Sequence, residues 1–177
     1  MEKPTLQGEL IRLRPIGPED VEAVWDLVSD PESARLTGRT EVYTREMVAE
    51  RCATIADRPG RIDLAVTTTG SDEMLGEMVL KHIDLQSGTA DLRLVMRPAH
   101  RGRGLGTEAI GLVLDMAFEG LGLHRIELTV LSTNTRALAL YEGLGFQTEG
   151  RLREAFRDGD RRCDGIVMGL LAEEYRR

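Results

Sequence analysis

The segment Arg101-Gly102-Arg103-Gly104-Leu105-Gly106 constrains the fold more than any other part of this chain. It follows an alternating strand pattern over 92–96 and precedes a helix pattern over 109–117, whose apolar residues recur at helical spacing. Three glycines allow unusual backbone dihedrals and the close approach of a bulky ligand. The first turn of the helix has N–H groups without partners within the helix, and it carries the positive end of the helix dipole. The segment therefore predicts a diphosphate-binding loop, assisted by Arg101 or Arg103.

Two common phosphate-binding loops do not fit this segment. The dinucleotide fingerprint G-x-G-x-x-G requires a glycine where the chain has Thr107, and a P-loop requires a lysine directly after Gly106. A nucleotide-binding regulator is therefore disfavoured. A plain glycine-rich turn with solvated arginines remains the alternative at this point.

Hydrophobic periodicity over the rest of the chain predicts an α/β fold in a single domain, 1–177. The predicted order is a strand, two helices, three strands, a helix, a strand, a helix and two final strands, which gives about seven strands and about four helices. Pro18 opens the first helix, which we expect to end at Asp30-Pro31, and the second helix covers 45–56. Asn134 is expected to cap the last helix. These elements predict a mixed, mostly antiparallel sheet.

Composition and charge exclude several classes of function. Hydrophobic residues make up 41% and charged residues 30% of the 177, which is typical of a globular protein. The net charge of −7 argues against nucleic acid as a general partner, because phosphate binding requires a basic surface. The sequence has no signal-peptide core and no apolar run of membrane-spanning length, so we expect a cytoplasmic protein with no membrane partner. Cys52 and Cys163 form no close-spaced pair and the histidines lack ligand spacing, so no metal site is predicted.

Two longer blocks resemble the GNAT acetyltransferase family. The run 92–106 (LRLVMRPAHRGRGLG) is similar to the family's acetyl-CoA signature, an apolar strand followed by Arg/Gln-x-x-Gly-x-Gly/Ala. The run 134–146 (NTRALALYEGLGF) is similar to the second family block. Segments 10–15, 124–128 and 149–154 resemble the branch of ribosomal-protein N-terminal acetyltransferases. The resemblance covers nearly the whole chain, and two blocks in order at the right distance are a specific signal.

This resemblance implies an acetyl-CoA-dependent N-acetyltransferase with a GNAT-like sheet that is splayed at the cofactor site. The acceptor amine would attack the thioester directly, while a backbone N–H near Val95 or Met96 holds the thioester oxygen, a role typically worth about 3–4 kcal/mol. Asn134 would contact the cofactor or order its helix. The implied cofactor-binding residues lie on the strand, the glycine loop and the last helix: Leu94, Val95, Met96, Arg101, Gly102, Arg103, Gly104, Leu105, Gly106, Thr107 and Asn134.

Three residues are candidates for the acid–base chemistry. The resemblance implies that Tyr141 protonates the departing coenzyme A thiolate, and a buried packing tyrosine is the alternative. An ammonium group must lose a proton before it can attack, so a carboxylate or a water chain is needed. Asp91 lies near the position where many family members carry a strand glutamate, and Glu77 stands in an otherwise apolar strand. Either carboxylate is equally explained as a solvated strand residue, and His82 and His100 are weaker candidates.

The sequence does not identify the amine that accepts the acetyl group. A peptide or protein N-terminus is favoured by the branch resemblance, and a polyamine or a drug-like amine are the other candidates. Homodimerisation, common in that branch, also stays open. The acidic segments 19–20 and 30–32 either attract a cation or cap helices and aid solubility. A non-catalytic acyl-CoA-binding sensor on the same fold is the alternative function, but a binder needs no proton donor at position 141.

Overall fold

The computed structural model describes residues 3–175, which form one mixed sheet with helices on both faces. The strands are β1 (Leu6–Gln7), β2 (Ile11–Pro15), β3 (Arg61–Thr68), β4 (Ser71–Asp84), β5 (Thr89–Met96), β6 (Arg125–Leu131), β7 (Gln147–Asp158) and β8 (Arg161–Leu171). The α-helices are α1 (Val21–Ser29), α2 (Pro31–Thr37), α3 (Arg45–Thr54), α4 (Leu105–Asp115) and α5 (Thr135–Gly143). The predicted domain also includes Met1, Glu2, Arg176 and Arg177, which lie outside the described residues.

The predicted α/β class and the order of the main elements are confirmed, with two additions. The two-residue strand β1 brings the described sheet to eight strands, and the short helix α2 brings the described α-helices to five. The sequence pattern assigned Asp30-Pro31 as a stop. In the structure, Asp30 ends α1 and at once caps α2, since its carboxylate accepts from the N–H of Ser33 at 2.7 Å. Proline fits the first turn of a helix, so Pro31 starts α2 here.

The sheet runs in the order β1-β2-β3-β4-β5-β6-β8-β7 and opens between β5 and β6. These two strands are parallel, whereas the other neighbouring pairs are antiparallel. Their register covers 89–91 against 125–127 and goes no further. Beyond that point, β5 continues to Met96 beside β4, and β6 continues to Leu131 beside β8. The predicted splay of the sheet is therefore confirmed, and it leaves one edge of 92–96 without a strand partner.

Two hydrophobic clusters hold helices against the opposite faces of this sheet. The larger cluster packs α4, through residues such as Ala109, Ile110 and Val113, on one face. The smaller cluster includes Val24 of α1 and Val48 of α3 and packs on the other face. Helices on both faces of the central strands place the splayed segment of β5 between two helical layers. None of the described helices is both long and apolar enough to cross a bilayer.

Candidate active site

The glycine loop delivers an open helix N-terminus to the splayed edge of β5. Gly102 and Gly104 have φ angles of 72° and 76°, a left-handed conformation that glycine adopts without steric cost. Gly104 is the N-cap of α4 and provides no side-chain hydrogen bond to it. The first-turn N–H groups of α4 therefore lack a side-chain cap, and the positive end of the helix dipole is directed at the loop.

Gly106 keeps the first turn of α4 close to β5. A Cβ atom at this position would lie 2.9 Å from Cδ2 of Leu94, closer than real Cβ contacts allow. Any side chain at 106 would therefore displace Leu94. The space beside Leu94 is part of a cavity of about 240 Å³ between β5, the loop and α5.

This first cavity brings together all eleven residues predicted to bind the cofactor, along with Tyr141. Sequence reasoning missed the contributions of α2 because that helix was not predicted. It also missed Ala137 and Leu140, although their spacing from Asn134 and Tyr141 along one helix could have indicated them. The lining residues that were not among the predicted site residues are Ser33, Leu36, Thr37, His100, Arg136, Ala137 and Leu140. From the sequence, His100 is only a weaker candidate for the base.

The two loop arginines have different environments. Arg101 donates from Nε to the carbonyl of Met96 at 3.1 Å, and from Nη2 to Asp30 at 3.0 Å and to Ser33 at 2.6 Å. It also forms an ion pair with Glu32. Its guanidinium thus ties α2 to the end of β5, and most of its donors are engaged within the protein. Arg103 is exposed, so it is the better placed of the two to reach a diphosphate.

Asn134 orders α5 and also reaches α2. Its Oδ1 accepts from the N–H of Ala137 at 3.2 Å, which confirms the predicted N-cap. Its Nδ2 donates to the carbonyl of Leu36 at 3.4 Å. Because Asn134 also lines the first cavity, one side chain joins the two helices that border it.

Tyr141 lies on the next turns of the same helix and is 6% exposed. Its ring meets the edge of Phe146, with ring centroids 5.5 Å apart. Burial raises the pKa of Tyr141 to about 12, although a backbone hydrogen bond at Leu94 and the charge of Arg93 act in the opposite direction. The phenol is therefore protonated at neutral pH and has a proton to donate into the cavity that it lines.

A second cavity of about 590 Å³ lies towards α3. It shares Ser33, Thr37 and Val95 with the first cavity, so the two cavities meet at the splayed strand. Two reactants, one in each cavity, can thus approach each other at Val95. Met47 of α3 is 48% exposed and lines this second cavity.

The two candidate bases lie in different places. Glu77 is 5% exposed, lines the second cavity and stands directly opposite Val95 in the strand register. One of its oxygens pairs with Arg51, and the other lies 3.4 Å from Nη2 of Arg93. Asp91 is 2.7 Å from Nδ1 of His82 and does not line either of these cavities. The structure therefore brings Glu77, and not Asp91, to the junction at Val95.

The acidic segments singled out in the sequence are engaged within the fold. Asp20 accepts two hydrogen bonds of 2.8 Å from the guanidinium of Arg14 and caps the turn at Gly17. Asp30 and Glu32 both pair with Arg101. This agrees with the structural interpretation of those segments as helix-capping residues.

Comparison with known proteins decides the family. A profile of the Acetyltransferase (GNAT) domain matches residues 11–147. The chain belongs to the GNAT acetyltransferase family. This GNAT chain is 31% identical over 176 residues to the uncharacterized N-acetyltransferase p20 of Bacillus licheniformis, with 97% of this chain and 98% of that protein covered. It is 33% identical over 110 residues to the spermidine N(1)-acetyltransferase of Vibrio cholerae serotype O1, with 62% of this chain and 64% of that protein covered.

A solved structure agrees with this assignment. The crystal structure of spermidine N-acetyltransferase from Vibrio cholerae in complex with CoA and spermine matches with a TM-score of 0.86 and 26% identity, over 93% of this chain and 97% of that chain. The predicted activity and cosubstrate are confirmed. The GNAT chain is an acetyl-CoA-dependent N-acetyltransferase that acetylates an amine.

Proposed function

We propose that the first cavity binds acetyl-CoA, that the second binds a primary amine, and that acetyl transfer takes place where the cavities meet at Val95. The observation that carries this proposal is the shared wall of Ser33, Thr37 and Val95. Acetyl-CoA supplies an activated thioester, and the acceptor amine attacks its carbonyl carbon directly. The enzyme's part is to hold both partners at one strand residue and to manage two proton movements.

The residues of the first cavity fit coenzyme A. The uncapped start of α4 and the loop 101–106 suit the diphosphate, with Arg103, Arg136 and Thr107 at its border. The edge of β5 without a strand partner leaves main-chain N–H and C=O groups for the amides of the pantetheine arm. A strand edge of this kind is a ready template for an extended ligand.

The direction of the β5 backbone favours Met96 over Val95 as the donor to the thioester oxygen. The N–H of Arg97 donates to the carbonyl of Leu75 on β4 at 2.8 Å. Because backbone direction alternates along a strand, the N–H of Met96 points to the opposite edge, towards the first cavity. The carbonyl of Met96 points to the same edge, because it accepts a hydrogen bond from Arg101 of the glycine loop.

Tyr141 is our candidate for the acid that protonates the departing thiolate. Its phenol lines the first cavity, and its raised pKa of about 12 keeps the proton in place until the thiolate forms. Glu77 is our candidate for the group that removes the ammonium proton, directly or through a water molecule. Its position opposite Val95 in the second cavity supports this role, and Asp91 is disfavoured because it lines neither cavity and bonds to His82.

The proposal is tested by measuring thiol release from acetyl-CoA with a panel of amines, alongside calorimetry of acetyl-CoA binding. The panel includes peptide N-termini, polyamines and drug-like amines, because the ribosomal branch resemblance favours the first class and the Vibrio cholerae relative acetylates spermidine by its name. We expect micromolar to millimolar binding and turnover with at least one class. Binding without turnover of any amine would falsify the catalytic part of the proposal.

A cytoplasmic location and a homodimer also remain proposals. The buried, free thiols of Cys52 and Cys163 agree with a reducing compartment. Light scattering at several concentrations of the purified chain tests the homodimer.

A further inference from the structure

The second cavity carries an excess of positive charge in a chain that is acidic as a whole. The net charge of the protein is −7. Among the described residues, the cavity is nevertheless lined by six basic and three acidic side chains. The basic residues are Arg39, Arg51, Arg58, Arg61, Lys81 and Arg93, and the acidic residues are Glu41, Glu50 and Glu77.

Two of the arginines are neutralised inside the fold. Arg61 holds the buried carboxylate of Asp63 through two hydrogen bonds of 2.7 and 2.6 Å. Arg51 pairs with Glu77 and lies 3.7 Å from Asp63. These two cations and two anions balance one another, so they contribute little net charge to the cavity.

Four basic side chains then remain in the lining, against two acidic ones, Glu41 and Glu50. Within residues 3–175, the side chains of Arg58 and Lys81 make no hydrogen bond or ion pair. Arg39 donates to the main-chain carbonyls of Val28 and Glu41, which are uncharged acceptors. Arg93 is 43% exposed, reaches Glu77 only at 3.4 Å, and has a buried Nε with no partner among the described residues.

We propose that the acceptor amine also carries an acidic group, a carboxylate or a phosphate, which binds Arg93 and Lys81 in the second cavity. This inference rests on the proposed function of that cavity as the acceptor site. Guanidinium and ammonium groups are the side chains that recognise carboxylate and phosphate, and an acid group would balance the positive charge left over after Glu41 and Glu50.

The strand register sets how far the acidic group lies from the reacting amine. Arg93 is two residues before Val95 on β5, and so about 7 Å away on the same face of the sheet. Lys81 is four residues after Glu77 on β4, about 13 Å along the same face. Asp91 stands opposite Lys81 but is bonded to His82. Separations of about 7 and 13 Å along the strands correspond to an acidic group several bonds from the amine, as in a diamino acid, a short peptide with an acidic side chain, or a phosphorylated amine.

The same charges disfavour a polycation such as spermidine as the preferred acceptor. A polyamine would have to bring several ammonium groups among Arg39, Lys81 and Arg93, where like charges repel. Glu77 already pairs with Arg51, so Glu41 and Glu50 are the acidic side chains left to offset these cations. The similarity to spermidine acetyltransferases therefore does not by itself make spermidine the expected acceptor.

Matched amine pairs that differ by one acidic group test the proposal at saturating acetyl-CoA. The carboxylate arm compares ornithine with putrescine and lysine with cadaverine, and the phosphate arm compares phosphoethanolamine with ethanolamine and glucosamine 6-phosphate with glucosamine. We expect kcat/KM for the acidic member to be higher by about tenfold or more in at least one arm. The arm with the larger ratio identifies the acid group. The inference is overturned if the members without the acid, or spermidine, have a kcat/KM equal to or higher than that of the acidic members.

Variants of the two proposed contacts give a second readout. Arg93→Gln and Lys81→Gln should each raise KM for the acidic acceptor by about tenfold and bring the ratio within a pair towards one. The control Arg157→Gln removes the same charge from β7, outside both cavities, and should leave the ratio unchanged. An unchanged ratio in both test variants refutes the contacts. If the enzyme acetylates amines but shows no preference for the acidic members, this inference fails and the proposed function stands. If it binds acetyl-CoA but acetylates no amine, the proposed function fails as well.

Discussion

The two cavities that meet at Val95 are built from different parts of the chain. The first includes a continuous segment of backbone, with a glycine loop, the start of α4 and a strand edge without a partner, all within residues 94–107, and it is completed by side chains of α2 and α5. The second is formed by side chains from α1 to α3 and from strands β3 to β5, with charges paired across more than one element. Main-chain contacts suit a cosubstrate that the whole family shares. A cavity formed by side chains can instead bind a different acceptor after a few substitutions.

The largest effect is expected at the first cavity, for Tyr141→Phe. Loss of a positioned general acid typically lowers turnover by about 10²–10⁴-fold, and the phenylalanine ring preserves the packing against Phe146. We expect kcat to fall by about a hundredfold or more while acetyl-CoA affinity and the free energy of unfolding change little. Stopped assays of thiol release and urea denaturation measure these quantities. A kcat equal to that of the parent enzyme would leave Tyr141 with a packing role only.

The pH dependence of turnover provides a check on the same residue. The pKa of Tyr141 is raised from 10.0 to about 12 by burial, so the proton donor is retained through the whole neutral and mildly alkaline range. We therefore expect kcat of the parent enzyme not to decline between pH 8 and about 10.5 through loss of this proton. A decline with an apparent pKa near 10 that disappears in Tyr141→Phe would mean that the phenol is not held in its protonated form.

The second effect in size is expected at the second cavity, for Glu77→Gln compared with Asp91→Asn. Glu77 lies at the junction and Asp91 does not, so only the first change should lower kcat/KM, by about a hundredfold. Glu77→Gln also leaves Arg51 without its partner, so the free energy of unfolding is measured in parallel. A destabilised variant that keeps the parental kcat/KM would assign Glu77 a purely structural role.

A smaller effect is expected from Arg101→Met, which acts on both cavities. Arg101 holds α2 through Asp30, Glu32 and Ser33, and Ser33 lines both cavities. Removing one member of this partly buried network should lower the free energy of unfolding by about 2 kcal/mol. KM should rise for both substrates, because α2 borders both. A change in KM for acetyl-CoA alone would instead indicate direct contact between Arg101 and the diphosphate.

The contrast between the cavities also explains what the sequence could predict. The glycine loop of the first cavity was predictable because its signal is local: glycines follow an alternating strand and precede an apolar helix. The roles of Asn134 and Tyr141 were implied by the resemblance of 134–146 to the second GNAT block. The second cavity was not predictable because Arg51, Arg93 and Glu77 come together only through sheet register and helix packing. No spacing along the chain indicates that Glu77 of β4 stands directly opposite Val95 of the neighbouring strand β5.

Two misses in the fold have equally specific causes. A proline can follow the end of one helix or occupy the first turn of the next, so Pro31 fits either position. From the sequence alone, Asp30 could equally be the residue that ends α1 or the residue that caps a new helix, and here it does both. Strand β1, with two residues, is too short to show alternation. The missing α2 mattered for function, because this helix gives Ser33 and Thr37 to both cavities.

The smallest effect compares two glycines on α4. At Gly106 a methyl group would meet Leu94 at 2.9 Å, whereas at Gly111 nothing lies within 4 Å. Gly106→Ala should push Leu94 into the first cavity and weaken acetyl-CoA binding by about tenfold, the equivalent of roughly 1.4 kcal/mol. Gly111→Ala should leave binding unchanged and stabilise the helix by up to about 1 kcal/mol, because alanine loses less backbone entropy in a helix than glycine. Calorimetry and urea unfolding of both variants measure this difference. Equal affinities would mean that Leu94 can move aside without entering the space that coenzyme A occupies, and that close packing at Gly106 serves the fold alone.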